Sequence, residues 1–282
     1  MFQSFESLAR PEQGPPRLAA LRAAMAEAGL DGFLVPRADV HQGEYVARRD
    51  ERLAWLTGFT GSAGFCAVLA DIAGVFVDGR YSLQVREQVD LSAFTPVAWP
   101  QTQAADWLSQ HLPGGGTVGF DPWLHTVKEI DALREKGGRH GVTFRETENL
   151  IDRIWQDRPA PPAGPVRVHP EALAGESHAD KRARLAADLA HLGHAAAVLT
   201  LADSVAWLFN IRGSDIRCNP LPHAFALLHD SGAAELFADA AKLTDAVRAH
   251  LGPEVALHPP AAFATRLAEL AGPVRIDPAS AP

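Results

Sequence analysis

The sequence is poor in cysteine: Cys66 and Cys218 are its two cysteines, and neither belongs to a C-x-x-C pair. Two isolated cysteines build neither a disulfide framework nor a zinc ribbon, so a reducing, cytoplasmic environment is expected. No apolar run approaches the roughly 18 residues that a membrane-spanning helix needs. The N-terminus also lacks the basic start and apolar core of a secretory signal, so no membrane association is expected.

The sequence also has fewer basic than acidic residues. The chain has 26 Lys and Arg residues against 34 Asp and Glu residues, which gives a formal net charge of −8. An acidic surface repels phosphate backbones, and a broad nucleic-acid-binding role is therefore disfavoured. With 47% hydrophobic and 21% charged residues, the composition is that of a folded chain and not of a disordered one.

Complete catalytic motifs are missing. Residues 114–119 fit G-x-G-x-x-G, but a predicted helix precedes them and a predicted strand follows, the reverse of a dinucleotide-binding loop. Residues 61–64 resemble half of a nucleophile elbow and lack its first glycine. His191 and His194 lie three residues apart on a predicted helix, which is one metal-ligand spacing, but no H-E-x-x-H motif accompanies them. The residues alone therefore indicate turns and surface histidines at these positions.

The length of 282 residues predicts two domains. Residues 158–170 (RPAPPAGPVRVHP) are rich in proline, which is excluded from helix and sheet interiors, and they predict a semi-rigid connector. We expect an N-terminal arm at 1–16, a first domain at 17–157 and a second domain at 171–282.

The second half of the chain repeats the first. Residues 206–214 (AWLFNIRGS) match residues 54–62 (AWLTGFTGS), so that Trp207 corresponds to Trp55 at a separation of 152 residues. In both halves a predicted helix and strand precede this segment and a pair of strands follows it. Because strands run on before the helices, the pattern predicts an α/β fold of two similar domains, each a mixed sheet flanked by helices.

Two charged turns are candidate functional sites. In the first half, Asp78 precedes Arg80 and Tyr81 directly after an apolar strand, and a helix is predicted over 81–89. Capping of that helix by Asp78 is the interpretation that the residues favour. The alternative is that Arg80 forms a fork for a carboxylate or phosphate group.

The corresponding turn in the second half contains Asn210, Arg212 and Asp215. Arg212 could form an ion pair with Asp215 that fixes the loop. It could also face a ligand, as could Arg80 in the other half. The residues alone leave both possibilities open.

Longer motifs carry a resemblance to cytosolic-type aminopeptidase P. The second half contributes 206–216 (AWLFNIRGSDI) and 219–220, followed by 221–223 (LPH) where the family usually has Val-Phe-Phe. The first half resembles the first domain of that family at 44–47 (EYVA), 58–64 (GFTGSAG), 78–81 (DGRY) and 148–155 (ENLIDRIW).

The resemblance implies two creatinase/prolidase N-terminal domains of ribonuclease H-like fold. In the family a third, pita-bread domain follows, holds two divalent metal ions, commonly manganese, and removes an N-terminal residue when proline is second. None of its ligand motifs occurs here. We therefore expect the N-terminal part of such a metallo-aminopeptidase, without catalytic residues or a cofactor of its own and inactive alone.

The expected partners are the chain's own C-terminal catalytic domain, further copies in a homo-oligomer, and peptides with proline second. The candidate residues at the substrate mouth are Arg80, Tyr81, Asn210 and Arg212. One alternative is a stand-alone binding or scaffolding module. Another is a creatinase- or prolidase-type relative, which the doubled turn disfavours because those relatives have a single domain of this type.

Overall fold

A computed structural model describes residues 9–282. Residues 1–8 of the predicted arm lie outside the described part. Within that arm a 3₁₀ turn covers Pro11–Gln13, and the first α-helix begins at Gly14. The chain divides into two compact units: one comprises residues up to Ala38 together with Arg48–Pro159, and the other comprises Asp39–Ala47 together with Ala160–Pro282. No helix in the described range is long and apolar enough to cross a membrane.

The first unit is a mixed α/β domain. Pro15 and Pro16 stand in the first turn of its first helix, where no intrahelical N–H partner is needed, and Gly29 follows that helix with φ of +61°. Its elements in chain order are α1 (Gly14–Glu27), β1 (Gly32–Pro36), α2 (Arg52–Thr57), β2 (Phe65–Leu69), β3 (Ala73–Val77), α3 (Gln84–Gln88), β4 (Thr95–Ala98), α4 (Ala104–His111), β5 (Gly116–Phe120), α5 (Val127–Gly138), β6 (Val142–Glu146) and α6 (Leu150–Ile154).

These strands form one six-stranded sheet in the order β4-β3-β2-β1-β5-β6. Strands β1, β2 and β3 pair antiparallel in sequence, whereas β4, β5 and β6 each join in parallel. Side chains alternate across the sheet, so that Phe33 and Val35 enter one core cluster and Leu34 enters another. The sheet is thus buried on both faces, which explains why β1 reads as a continuous apolar run.

The second unit repeats this architecture. Its longest helix begins after Ser177, whose side-chain oxygen accepts a hydrogen bond from the Asp180 N–H at 3.0 Å. Its elements are β7 (Arg167–Val168), α7 (Glu171–Ala174), α8 (His178–His191), β8 (Ala196–Leu199), α9 (Ala202–Leu208), β9 (Ile211–Arg212), β10 (Phe225–His229), β11 (Ala234–Phe237), α10 (Asp245–Leu251), β12 (Val255–His258), α11 (Phe263–Ala268) and β13 (Val274–Arg275).

The main sheet of the second unit has the order β12-β11-β10-β8-β13. Strand by strand this is the order β4-β3-β2-β1-β5 of the first unit, and each neighbouring pair has the same parallel or antiparallel sense in both sheets. The described residues of the second unit contain no counterpart of β6. The predicted fold class, two similar mixed sheets flanked by helices, is confirmed.

Three local features differ from the sequence predictions. The proline-rich stretch at 158–170 is not a plain connector, since β7 lies within it and pairs antiparallel with β9. The predicted helix over 81–89 is shorter: a 3₁₀ turn covers Gly79–Tyr81, and α3 follows it. His191 ends α8, so His194 does not share that helix.

Segment 39–47 was not predicted to belong to the second unit. Val40 packs against a small core cluster that contains Phe225 and Phe263, and His41 lies 4.5 Å from the Phe225 ring. The His41 Nδ1 atom lies 3.0 Å from the Thr200 carbonyl oxygen. These contacts join residues from the front of the chain to residues that lie about 160 to 220 positions later in the sequence.

Candidate functional site

In the first unit, Arg80 and Tyr81 lie at the carboxyl end of β3. The Asp78 carboxylate accepts from the Arg80 backbone N–H at 2.9 Å and so caps the 3₁₀ turn Gly79–Tyr81, not the predicted helix over 81–89. It also binds the guanidinium through Nε and Nη2. The hydrogen bonds from Arg80 lower the pKa of Asp78. The Arg80 side chain is exposed to solvent, so the contribution of this pair to stability is small.

Tyr81 faces the glycine-rich turn. Its hydroxyl lies 2.8 Å from Ser62 Oγ, and its ring packs edge-on against Phe59 at 5.6 Å between centroids. The hydrogen bond with Ser62 lowers the pKa of the Tyr81 hydroxyl. Gly61 has no room for a side chain because a Cβ there would meet the Phe59 ring at 2.2 Å. The turn therefore holds Tyr81 by both its ring and its hydroxyl.

Asn210 is a buried structural residue with φ of +50°, at the position that Gly58 occupies in the first unit with φ of +88°. The Asn210 amide donates from Nδ2 to the Glu176 carbonyl at 2.8 Å. Its Oδ1 accepts from the Lys181 ammonium, also at 2.8 Å. The polar side chain thus ties the turn to α8, which glycine in the first unit cannot do.

Lys181 was missed in the sequence because an isolated lysine in an amphipathic helix gives no signal. Its side chain is buried, its ammonium donates to the Trp207 carbonyl at 3.0 Å, and it lies 4.3 Å from the Trp207 ring centroid. Burial lowers the pKa of Lys181, partly offset by the nearby Glu176 carboxylate. The ammonium is satisfied by amide and carbonyl oxygens together with the indole face.

The same arrangement occurs in the first unit, with arginine in place of lysine. Arg17 donates from Nη1 to the Trp55 carbonyl at 2.6 Å, and its guanidinium lies 4.5 Å from the Trp55 ring centroid. Trp155 stacks on Trp55 at 5.2 Å, and a cleft of about 530 Å³ lies beside these rings. The repeated segment therefore preserves a tryptophan whose ring and carbonyl both bind a cation.

Arg212 does not pair with Asp215, so that one of the two possibilities is excluded. Asp215 is fully buried and binds the Lys242 ammonium, while its Oδ2 also accepts from the His223 N–H at 2.6 Å. Arg212 donates from Nη1 to the Ile211 carbonyl at 2.8 Å and to the Ala206 carbonyl at 3.4 Å. The loop is fixed by a lysine too distant in sequence for spacing to reveal it.

The four predicted residues fall into two sites, one in each unit: Arg80 and Tyr81 in the first, Asn210 and Arg212 in the second. Arg80 and Tyr81 follow β3, whereas Asn210 and Arg212 follow α9, within the repeated segment 206–214. Asn210 is 2% exposed and cannot contact a ligand directly, whereas Arg80, Tyr81 and Arg212 reach the surface.

Within residues 9–282, neither unit by itself presents side chains that fit a dinuclear metal centre. Such a centre needs carboxylates free to bridge two ions. In the first unit Asp50 binds both Arg52 and Arg158. In the second unit Asp215 binds Lys242, and Glu235 is held by Arg266. The remaining buried carboxylate of that unit, Asp39, faces one imidazole, His223, at 3.4 Å.

Glu235 illustrates this neutralisation. Its two oxygens accept from Nε and Nη2 of Arg266 at 2.8 and 3.0 Å, and the His229 and His258 Nε2 atoms each lie 3.0 Å away. The Arg266 contact lowers the pKa of Glu235 against the opposing effect of burial. The cluster crosses β10, β11 and β12 and acts as a polar brace on the sheet.

Comparison with known proteins agrees with a doubled domain of this class. Residues 17–154 and residues 157–282 each match a family model described as the creatinase/prolidase N-terminal domain. The chain belongs to the creatinase/prolidase N-terminal domain family, with one copy of the domain in each half.

Curated relatives place the doubled domain within longer proteins. A protein of Coccidioides posadasii (strain RMSCC 757 / Silveira) named "Probable Xaa-Pro aminopeptidase P" is 41% identical over 251 residues, covering 86% of this chain and 40% of that protein. An Aspergillus flavus protein of the same name is 40% identical over 249 residues, covering 86% of this chain and 38% of that protein. The chain thus spans about 40% of the length of these relatives.

A solved structure shares the fold. The X-prolyl aminopeptidase of Caenorhabditis elegans, described as a cytosolic enzyme with a di-nuclear active site, superposes with a TM-score of 0.85 at 32% identity. The superposition covers 90% of this chain and 43% of that chain.

Proposed function

We propose that this chain is the non-catalytic N-terminal part of an Xaa-Pro metallo-aminopeptidase, whose two domains shape peptide access and oligomer contacts. The observation that carries the proposal is one similarity that spans both domains, at 41% identity over 251 residues, to a relative named Xaa-Pro aminopeptidase. A cytoplasmic location is part of the proposal, supported by the description of the nematode enzyme as cytosolic.

The ion pairs of the buried carboxylates favour a structural role for these two domains. The buried carboxylates Asp50, Asp215 and Glu235 are each bound by arginine or lysine, so they brace loops and sheets. Two divalent ions, with manganese expected, would be held by another part of the longer protein. When bound, such ions activate a water molecule and polarise the scissile carbonyl.

Arg80 and Arg212 are the proposed contact residues of the two domains, toward a peptide or a partner subunit. Arg212 suits this role because its planar fork can bind a carboxylate in two places, whereas Arg80, whose Nε and Nη2 are held by Asp78, would act through its exposed guanidinium. Tyr81, whose ring lies 5.2 Å from the Arg80 guanidinium, would then hold that cation in position, and Asn210 would fix the turn that leads to Arg212. The Tyr81 hydroxyl is anchored by Ser62, and Asn210 is anchored through Lys181.

A metal-supplemented assay tests the division of labour. The 282-residue chain and the longer protein are incubated with Mn²⁺ and a peptide whose second residue is proline. We expect release of the first residue by the longer protein and none by this chain. Cleavage by this chain alone would refute a non-catalytic role, and an inactive longer protein would refute the peptidase assignment.

The contact residues are tested in the longer protein. Arg80→Ala and Arg212→Ala are compared with Arg139→Ala, which removes an exposed arginine paired with Glu135. A change in kcat/KM or in the oligomeric state is expected for the first two variants. If both variants match the Arg139→Ala control in both measurements, neither arginine has the proposed role.

A further inference from the structure

Positive charge is concentrated on one face of the ribbon formed by β7 and β9. Arg167 lies directly opposite Arg212 in the antiparallel register, and Val168 lies opposite Ile211. Residues opposite each other point to the same side of the ribbon. Because Ile211 is buried and Val168 packs against the same core, Arg167 and Arg212 both point away from it.

This cationic face lacks the counter-charges found elsewhere in the chain. Among residues 9–282, no carboxylate lies within ion-pair distance of Arg167, His169, Lys181 or Arg212. The Glu176 carboxylate, which is near Lys181, is bound by Arg184. In a chain of net charge −8, such a concentration of cations without carboxylate partners is unexpected.

The hydrogen bonds of the arginine side chains show which edge of the Arg212 guanidinium is available to a ligand. Arg52, Arg184 and Arg266 each bind a carboxylate through Nε and Nη2. Arg212 uses Nη1 for two main-chain carbonyls, and its Nε and Nη2 have no partner within residues 9–282. The edge with which this protein repeatedly holds carboxylates is thus available on Arg212.

Arg167, Lys181 and Arg212 lie close enough together to act on one group, the His169 imidazole. The pKa of His169 is lowered, first by desolvation and then by Arg212, Lys181 and Arg167. These three positive charges therefore act on the same small region. A carboxylate placed there would be attracted by all of them, whereas an added cation would be repelled.

The internal repeat provides a comparison for the aromatic part of this face. Trp55 is covered by the stacked ring of Trp155 in the first unit. Its counterpart, Trp207, is 45% exposed and has no stacked ring among the described residues. Lys181 binds Trp207 from one side, and Arg212 reaches the carbonyl of the preceding residue, Ala206. The second unit thus has an exposed indole on the residue that follows a carbonyl bound by Arg212.

We propose that Arg167, Arg212 and Trp207 form a binding site for the carboxylate of a peptide, with the indole contacting the neighbouring side chain. An adjoining groove of about 370 Å³, lined by Arg167, Gly213 and Ser214, is of a size for a short peptide segment and not for a folded protein. This inference rests on the proposed function, since it assigns a ligand to the face that contains Arg212.

An NMR titration of the 282-residue chain tests the site without any turnover. The indole N–H signal of Trp207, identified with Trp207→Phe, is followed during addition of the peptide Phe-Pro-Ala. Three ligands are compared: the free acid, its C-terminal amide, and the amide of Phe-Pro-Glu. We expect the free acid to shift the signal and to bind at least about tenfold more tightly than its amide.

The third peptide identifies the source of the carboxylate. Binding of the Phe-Pro-Glu amide shows that an acidic side chain is accepted, and its failure to bind shows that the terminal carboxylate is required; both support the proposal when the free acid binds. Equal binding of Phe-Pro-Ala and its amide, or tighter binding of inorganic phosphate than of the free acid, would overturn it.

Matched variants locate the effect. Arg167→Gln and Arg212→Lys, which keeps the charge but removes the fork, should each weaken binding of the free acid about tenfold. Arg275→Gln, which alters another exposed arginine of the second unit, should not. Backbone amide spectra check that each variant is folded. Failure here leaves the peptidase assignment standing, because that assignment is decided by the separate cleavage assay.

Discussion

Residues 58 and 210 occupy the same place in the two copies of the repeated segment, and a different residue type provides the left-handed backbone conformation in each copy. Both adopt a positive φ, +88° at Gly58 and +50° at Asn210. Asparagine tolerates this conformation better than most residues, and here its amide also holds the buried Lys181 ammonium. A Cβ at Gly58 would meet the Gln88 carbonyl oxygen at 2.3 Å, so asparagine is confined to the second copy.

Substitutions at Asn210 should separate these two roles. Asn210→Gly keeps the backbone conformation but removes the bonds to Lys181 and Glu176, and it should lower the free energy of unfolding by about 2 kcal/mol. Asn210→Ala adds backbone strain and should cost about 1 kcal/mol more. Urea denaturation followed by the second unit's amide signals measures both. An alanine variant as stable as the glycine variant would contradict the strain argument.

His41 predicts a pH dependence of stability. The residue is 4% exposed, and burial with the neighbouring His223 ring lowers its pKa to about 4. In the unfolded chain a histidine titrates near pH 6.5. As the pH falls below 6.5 the unfolded state therefore takes up a proton that the folded state does not, and stability is lost.

Between pH 7.5 and 5 this difference should lower the free energy of unfolding by about 2 kcal/mol. Asp39 stays ionised over this range, because the His223 ring, 3.4 Å away, holds the pKa of Asp39 below its usual range against the effect of burial. His41→Asn, whose amide can still donate to the Thr200 carbonyl, should flatten the dependence. His140→Asn, at an exposed histidine, should keep it. Equal slopes for the wild type and His41→Asn would exclude His41 as the cause.

The hydrogen-bond and ion-pair partners of individual side chains were harder to predict from the sequence than the fold. The sequence pointed to Asp78 as a cap and to Arg212 as a notable cation, because both follow an apolar segment at short range. The partner of Asp215, Lys242, lies 27 residues away, and sequence spacing carries no information about it. Lys181, likewise, becomes significant once the fold brings Asn210 and Trp207 to it.

At the scale of elements, the separation of 152 residues between the repeated segments predicted that one topology is used twice. That prediction succeeded because strand order follows from the sequence of apolar strands and short connections, which both halves share. The ribbon of β7 and β9 escaped prediction because two-residue strands have no detectable alternation and because prolines surround β7.

Helix α8, which carries Lys181, depends on its N-terminal cap. Ser177 accepts from the Asp180 N–H at 3.0 Å and donates from Oγ to the Asp180 carboxylate at 2.7 Å. Ser177→Ala should lower the free energy of unfolding of the second unit by about 1 kcal/mol. Denaturant midpoints at equal slope measure the change.

A serine inside a helix is the matched control. Ser109 donates to the Ala105 carbonyl within α4, where alanine is the better helix former. Ser109→Ala should therefore leave stability unchanged or raise it slightly. A loss at Ser109 as large as that at Ser177 would mean that removal of any helical serine, and not of the cap, causes the effect.

For the whole molecule, the consequential feature is that the second unit includes residues from two separate parts of the chain. Linear motifs could not show this, because the composition of segment 39–47 does not differ from its surroundings. Its contacts are long-range: Val40 packs with the cluster of Phe225 and Phe263, and His41 contacts Thr200. A boundary drawn at the proline-rich stretch alone would divide this unit.

Separating the halves should therefore harm the second unit. A chain that starts at residue 160 lacks segment 39–47 and leaves part of the Phe225 and Phe263 cluster uncovered, so its unfolding free energy should fall by about 2–4 kcal/mol relative to the same unit in the whole chain. A synthetic peptide of residues 39–47 should restore part of the loss at high concentration by mass action.

Replacing residues 39–47 in the whole chain by a Gly/Ser stretch of equal length should lower the stability of the second unit alone, with the amide signals of the first unit unchanged. If the piece from 160 onward is as stable as the intact unit, segment 39–47 does not contribute to the stability of that unit.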